Sequence, residues 1–145
     1  MSQYSEATVE IEAPLAEVAT TLFAVEGYST WMSSIKKSEV TERDDQGRPT
    51  KATLSIDAGV MKDRPTLDYD WSAAPAELSF SLDEADLMTA MNGKYILKAL
   101  DEDTTQVTYQ LGVEISMPVP RMMIAKTEQN TIDTALAELK AHLEN

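Results

Sequence analysis

The sequence has no cysteine, a single histidine and no long apolar run. The lack of cysteine excludes disulfides, thiolate metal sites and a cysteine nucleophile, and it fits the reducing cytoplasm. No apolar run approaches the ~20 residues that a membrane-spanning helix needs, so no integral membrane segment is predicted. The first twelve residues show neither a basic segment nor an apolar core, so we expect no secretory signal and a cytoplasmic location.

Basic residues are also scarce, with 12 lysines and arginines against 25 acids and a formal net charge of −13. Binding to phosphate backbones or to anionic surfaces needs clustered bases. The only adjacent basic pair is Lys36-Lys37. Nucleic acid is therefore not an expected partner, and the acidity is interpreted as a self-repelling surface.

Length and patterning predict one globular domain, residues 1–145, with 43% hydrophobic residues. Val9 and Ile11 alternate with glutamates, the period-two pattern of a half-buried strand. A short helical pair follows between Pro14 and Trp31, interrupted at Gly27. Further alternating segments predict strands over 35–43, 52–58, 67–71, 78–82, 88–100 and 107–115, with loops between them that include Gly59 to Arg64.

A long helix is predicted from Pro120 to about His142. Its apolar stripe contains Ala125, Ile132, Leu136, Leu139 and Leu143. The opposite side carries Thr127, Thr131 and Thr134, which are expected to face solvent. The N-terminal half of the stripe holds small Ala125 and, at its edge, Glu128, so we expect this half to cover a cavity while the other half seals the core.

Several segments together resemble the START/polyketide-cyclase (SRPBCC, helix-grip) superfamily, and within it the small bacterial polyketide cyclase/dehydrase and coenzyme Q-binding branch. They are V-E-I-E-A-P-L-A-E-V (9–18), the segment 28–31, D-x-Q-G-R-P (44–49), T-x-V-T-Y-Q-L (105–111) and P-V-P (118–120). The resemblance implies an α+β helix-grip fold: a seven-stranded curved antiparallel sheet around a long C-terminal helix, with two short helices after strand 1. It also implies a deep cavity for lipids, sterols, isoprenoids or polyketides, in a branch that includes carriers, cyclases and hydrolases.

Inward-facing aromatic and methionine side chains are the candidate lining of that cavity. Tyrosine hydroxyls would provide polar anchors in an apolar pocket, and methionine suits adaptable apolar surfaces. The alternative is that these side chains simply form the core. The candidate ligand-binding residues are Trp31, Tyr69, Trp71, Phe80, Met88, Met91, Tyr95, Tyr109, Leu111, Met122, Met123, Ala125 and Glu128. The loop from Gly59 to Arg64, with Met61, is a candidate gate.

No catalytic motif identifies the protein as an enzyme. His142 lies off the apolar stripe and is expected at the surface, and no ligand spacing predicts a metal site or another cofactor. Glu128 would be a candidate acid or base if it were buried. Tyr95 and Tyr109 are candidates for holding a ketone oxygen.

The leading hypothesis is binding or transport of a small hydrophobic ligand (lipid, isoprenoid/quinone or polyketide-like) between the sheet and the C-terminal helix. The first alternative is a polyketide cyclase/dehydratase-type enzyme. The second is an interaction module whose cavity is vestigial and filled by Trp71, Phe80 and the methionines. In the first two cases the expected partner is a small hydrophobic molecule, whereas the interaction module would bind on its outer surface instead.

Overall fold

A computed structural model describes residues 4–57, 62–116 and 118–144, which form a curved antiparallel sheet packed against a long C-terminal helix. The elements are, in chain order, β1 (Ser5–Ile11), α1 (Leu15–Phe23), a 3₁₀ turn (Val25–Gly27), α2 (Tyr28–Trp31), β2 (Ile35–Arg43), β3 (Pro49–Asp57), β4 (Lys62–Asp63), β5 (Thr66–Asp70), β6 (Glu77–Glu84), β7 (Met88–Ala99), β8 (Thr105–Ile115) and α3 (Arg121–Glu144). The predicted α+β architecture is confirmed. The two-residue strand β4 is an addition, because this stretch was predicted as loop. Residues 59–61 of the candidate gate lie outside the described residues.

The strands from β2 to β8 form a meander, and β1 pairs with β8 at one edge of the sheet. Its order is β1-β8-β7-β6-β5-β3-β2, with β4 paired to β3, and every pairing is antiparallel. β1 joins β8 with Ser5 opposite Leu111 and Ile11 opposite Thr105. Alternate residues of β8 are buried from Thr105 to Val113, so the period-two pattern of the sequence defines the inward face.

The helical pair closes one end of the sheet. α1 buries Val18, Ala19 and Leu22. α2 buries Tyr28, whose hydroxyl donates a hydrogen bond to the Leu22 carbonyl and so ties α2 to the last turn of α1.

α3 is anchored to the rest of the fold mainly through its C-terminal half. Ile132, Ala135, Leu136 and Leu139 are buried in the core. The backbone N–H of Ser33 donates to Glu138 at 3.0 Å, and the N–H of Glu12 donates to Glu144 at 2.9 Å. This half seals the core as predicted. Among the described residues, no helix is both long and apolar enough to cross a bilayer.

Candidate ligand cavity

A cavity of about 280 Å³ lies between the inward face of the sheet and the N-terminal half of α3. Of the residues predicted to line such a cavity, those found in its wall are Tyr69, Phe80, Met91, Tyr95, Tyr109, Leu111, Met123 and Glu128. Further wall residues, not among the predicted candidates, include Tyr28, Met32, Ser34, Ile35, Leu54 and Ile56. The helical pair and the start of β2 are too short or too polar to show which of their side chains face inward, whereas Leu54 and Ile56 follow the alternation predicted for 52–58 but were not named as candidates.

An aromatic row crosses the floor of the cavity, with one ring from each of the strands β5 to β8. The ring centroids of Tyr69 and Phe80 are 5.8 Å apart, those of Phe80 and Tyr95 6.5 Å, and those of Tyr95 and Tyr109 4.2 Å with the planes stacked at 21°. Gly93 gives the row its space, because a Cβ at this position would lie 2.1 Å from Cζ of Phe80. The floor is therefore a continuous aromatic surface.

The cavity tyrosines are neutral hydrogen-bonding groups. Burial raises the pKa of Tyr28, Tyr69 and Tyr95 above the usual value for tyrosine, and it raises the pKa of Tyr109 to about 12. The neighbouring Tyr109 hydroxyl adds to the rise in the pKa of Tyr95, whereas the Tyr95 hydroxyl opposes the rise in the pKa of Tyr109. Near neutral pH these phenols therefore keep their protons.

Glu128 is buried, with 1% of its surface exposed, at the point where α3 meets the edge of β8. Its Oε2 accepts from the Val113 N–H at 2.7 Å and from Arg121 Nη1 at 3.2 Å. Its Oε1 accepts from Ser5 Oγ at 2.9 Å and from Arg121 Nη2 at 3.2 Å. Both oxygens are thus engaged, and the carboxylate fastens the start of α3 to the sheet.

A second buried carboxylate, which sequence reasoning missed, holds a loop that contributes to the cavity wall. Asp63 of β4 accepts hydrogen bonds from the backbone N–H groups of Asp86 at 3.0 Å, Leu87 at 3.1 Å and Met88 at 2.8 Å. These bonds fix the β6–β7 loop, whose Leu87 contributes to the cavity wall. In the sequence, Asp63 was only one acid within the predicted loop from Gly59 to Arg64, so its role had no distinct signal.

Three predicted lining residues of the sheet and helical pair lie outside the cavity wall. Trp71 donates its indole N–H to the Pro49 carbonyl at 2.5 Å and packs edge-on against Phe23. Trp31 packs between Tyr28 and the exposed His142. Met88 is buried but is not part of the wall. For Trp71 the predicted inward face is correct, but both Trp71 and Met88 pack in the core rather than against open space.

The N-terminal half of α3 differs from the prediction at Met122, Ala125, Thr127 and Thr131, whereas Met123 and Glu128 are found in the cavity wall. Met122 is 83% exposed, and Ala125 lies next to β1, where its carbonyl accepts from Ser5 Oγ at 3.5 Å. Thr127 and Thr131, expected to face solvent, instead contribute to the cavity wall. The prediction continued the apolar stripe of the C-terminal half into the N-terminal half. The orientation of the N-terminal half depends instead on the hydrogen bonds of Glu128. Met117, named with the other methionines near this end, lies outside the described residues.

A wider, open depression of about 1100 Å³ follows strand residues that alternate to the outside of the sheet, among them Asp68, Ser81, Asn92 and Lys94. Its polar, open wall suits a hydrophobic ligand less well than the inner cavity does. Within the described parts of the chain, no group of three or more histidine, aspartate or glutamate side chains is arranged to hold a metal ion.

Comparison with known proteins gives a family and a shared fold. Residues 3–144 match the family described as polyketide cyclase / dehydrase and lipid transport. A START superfamily protein from Mycobacterium smegmatis has a TM-score of 0.93 at 22% identity, over 99% of this chain and 98% of that one. The Zhui aromatase/cyclase from Streptomyces sp. R1128 has a TM-score of 0.80 at 17% identity, over 98% and 93%. A search of curated proteins found no match.

Proposed function

The chain belongs to the polyketide cyclase/dehydrase and lipid transport family, and from that premise we propose that it binds a small, neutral, hydrophobic molecule between the sheet and α3. The observation that carries the proposal is the cavity of about 280 Å³ with its largely apolar and aromatic wall. Ligand pockets are typically apolar with a few placed polar groups and measure roughly 300–1,000 Å³. A volume near the lower end of that range favours a compact ring system or a short chain over a sterol.

The charges around the cavity favour a neutral ligand. Its wall contains no lysine, arginine or histidine among the described residues, and Glu128 is its only charged side chain. That carboxylate is already paired with Arg121. A charged group inside the cavity would lose its hydration without gaining a counterion, which is strongly unfavourable.

A cyclase acting on a polyketide-like substrate is the second candidate, and the cavity tyrosines favour it because phenolic donors can polarise a carbonyl. The expected acid or base is not in place, however. Glu128 has both oxygens engaged, and His142 lies outside the cavity wall. The vestigial-cavity alternative is disfavoured, because Trp71 and Met88 pack elsewhere and leave the cavity open. We therefore propose binding rather than turnover.

The test is a pair of phenylalanine substitutions one turn apart on α3. Thr131 is part of the cavity wall and Thr134 is exposed. Thr131→Phe would occupy ligand space, and forcing side chains into filled volume costs roughly 1–3 kcal/mol. We expect about tenfold weaker binding of the neutral fluorophore phenylnaphthylamine, measured by fluorescence titration. Thr134→Phe, with the same helix propensity change, should bind like the wild type.

Equal affinities of the two variants would mean that the probe binds elsewhere. No binding by the wild type would remove the proposal for ligands of this class. Native mass spectrometry of protein purified from its own host complements the titration, because a retained molecule would identify the chemical class directly.

A further inference from the structure

Two exposed methionines lie next to each other at the start of α3. Met122 has 83% of its surface exposed and Met123 has 54%, although methionine is among the residue types that are most often buried. The other methionines of the described residues, Met32, Met88 and Met91, are buried. Of the two exposed methionines, Met123 contributes to the cavity wall, whereas Met122 does not.

The place of Met123 in the wall follows from the face of α3 on which it lies. Thr127 and Thr131 follow it at four-residue spacing, and side chains at this spacing share one face of a helix. Both threonines also belong to the cavity wall. Met123 therefore lies at the rim of the cavity, where it borders both the apolar space and water.

An exposed methionine thioether is open to oxidation by peroxide. The sequence has no cysteine, so no thiol competes for the oxidant. Hydrogen peroxide is small and uncharged, and the formal net charge of −13 therefore does not repel it. In the reaction, one peroxide oxygen is transferred to the methionine sulfur, which gives up two electrons as the O–O bond breaks. The second oxygen leaves as water with both protons of the peroxide.

We propose that Met123 is a modification site, and that its oxidation to the sulfoxide by hydrogen peroxide lowers the affinity of the cavity for its ligand. This inference rests on the proposed function. Oxidation converts a flexible apolar side chain into a polar one. If the sulfoxide oxygen faces the cavity, it loses hydrogen bonds to water beside a largely apolar wall. If it turns to water, the side chain withdraws apolar surface from the ligand, so both positions weaken binding.

The first measurement is the rate of sulfoxide formation at each methionine, followed by peptide mass spectrometry during exposure to hydrogen peroxide. We expect Met123 to be oxidised about tenfold faster than Met91, in line with their exposed fractions of 54% and 6%. Met122 should be oxidised at least as fast as Met123. Equal rates at Met123 and Met91 would overturn the inference, because the site would then be closed to the oxidant.

The second measurement relates oxidation to binding. After catalase has removed the peroxide, the affinity for phenylnaphthylamine is compared with that of the untreated form of the same protein, for the wild type, Met122→Leu and Met123→Leu. Leucine is close to methionine in volume and carries no sulfur. We expect treatment to weaken binding about fivefold in the wild type and in Met122→Leu, and to change nothing in Met123→Leu. Methionine sulfoxide reductases with a thiol reductant should restore the affinity of the wild type, because they return the sulfoxide to the thioether.

The outcomes separate this inference from the proposed function. If the wild type binds equally well before and after oxidation of Met123, the inference is overturned while the proposed function stands. An equal loss of affinity in treated Met123→Leu would also overturn it, since another methionine would then be responsible. If the untreated wild type does not bind phenylnaphthylamine, the proposed function fails and this inference fails with it.

Discussion

Single polar residues inside this protein are held by specific partners, in some cases far away in the sequence. Glu128 receives a hydrogen bond from Ser5, 123 residues earlier in the chain, and another from the backbone of Val113. Tyr28 is tied to the Leu22 carbonyl. Sequence periodicity does not predict such contacts, because an acid counts as a polar residue whether it is exposed or buried with hydrogen-bonding partners. They nevertheless decide which face of α3 meets the cavity.

Glu128→Gln should destabilise the fold, because the amide cannot accept all four hydrogen bonds and leaves Arg121 without its anion. Breaking a buried pair typically costs about 3–5 kcal/mol. Arg121 is 40% exposed, and solvent compensates part of the loss, so we expect about 2–3 kcal/mol in urea unfolding. The exposed strand residue Glu114 provides the control, Glu114→Gln. Identical unfolding curves for the two variants would show that the contacts of Glu128 contribute no net stability.

At the scale of elements, the sequence predicts strands better than it predicts helix orientation. Strand periodicity is exact, so Tyr69, Tyr95, Tyr109 and Leu111 could be assigned to the inward face from alternation alone. α3 has no such constraint at its N-terminal half, where hydrogen bonds to the sheet edge set its rotation. The short strand β4 escaped prediction for a related reason, because two residues carry no periodicity.

β4 should act as a clamp on the β6–β7 loop through Asp63. Asp63→Asn replaces one accepting oxygen by a donor that cannot bond the amides of Asp86, Leu87 and Met88 as the carboxylate does. We expect faster hydrogen exchange at these amides by NMR and a stability loss of about 1–3 kcal/mol.

Asp86→Asn alters an exposed acid of the same loop and should leave the exchange rates unchanged. Similar protection in Asp63→Asn and the wild type would contradict the clamp. It would also imply that the position of Leu87 at the cavity depends on other contacts.

At the scale of the whole molecule, the cavity exists because the two halves of α3 have different roles. The C-terminal half buries Ile132, Leu136 and Leu139 and completes the core, whereas the N-terminal half stands over the aromatic floor with threonines and Glu128. The change in side-chain size along the helix predicted that the C-terminal half seals the core and that the N-terminal half covers the cavity. The exact wall was not, because it combines side chains from both ends of the chain.

Alkaline pH should destabilise the whole fold through its buried tyrosines. Tyr109 has a folded-state pKa of about 12 against an ordinary value of 10.0, and the pKa values of Tyr28, Tyr69 and Tyr95 are also raised by burial. A raised pKa means that the unfolded chain loses the proton first. The stabilising contribution is therefore complete below about pH 10 and is lost as the pH rises through the folded-state values.

Each such tyrosine lowers the free energy of unfolding by about 1.4 kcal/mol per pH unit between its two pKa values. Urea midpoints should thus be level up to about pH 10 and fall steeply toward pH 12. Tyr109→Phe removes one titrating group, so its stability should fall less steeply, whereas Tyr4→Phe should follow the wild type. Deprotonation of lysines and the growing negative charge affect all three proteins alike and cancel in the comparison. A Tyr109→Phe profile parallel to the wild type between these pH values would mean that Tyr109 ionises at its ordinary pKa, and that the cavity floor is open to water rather than closed beneath α3.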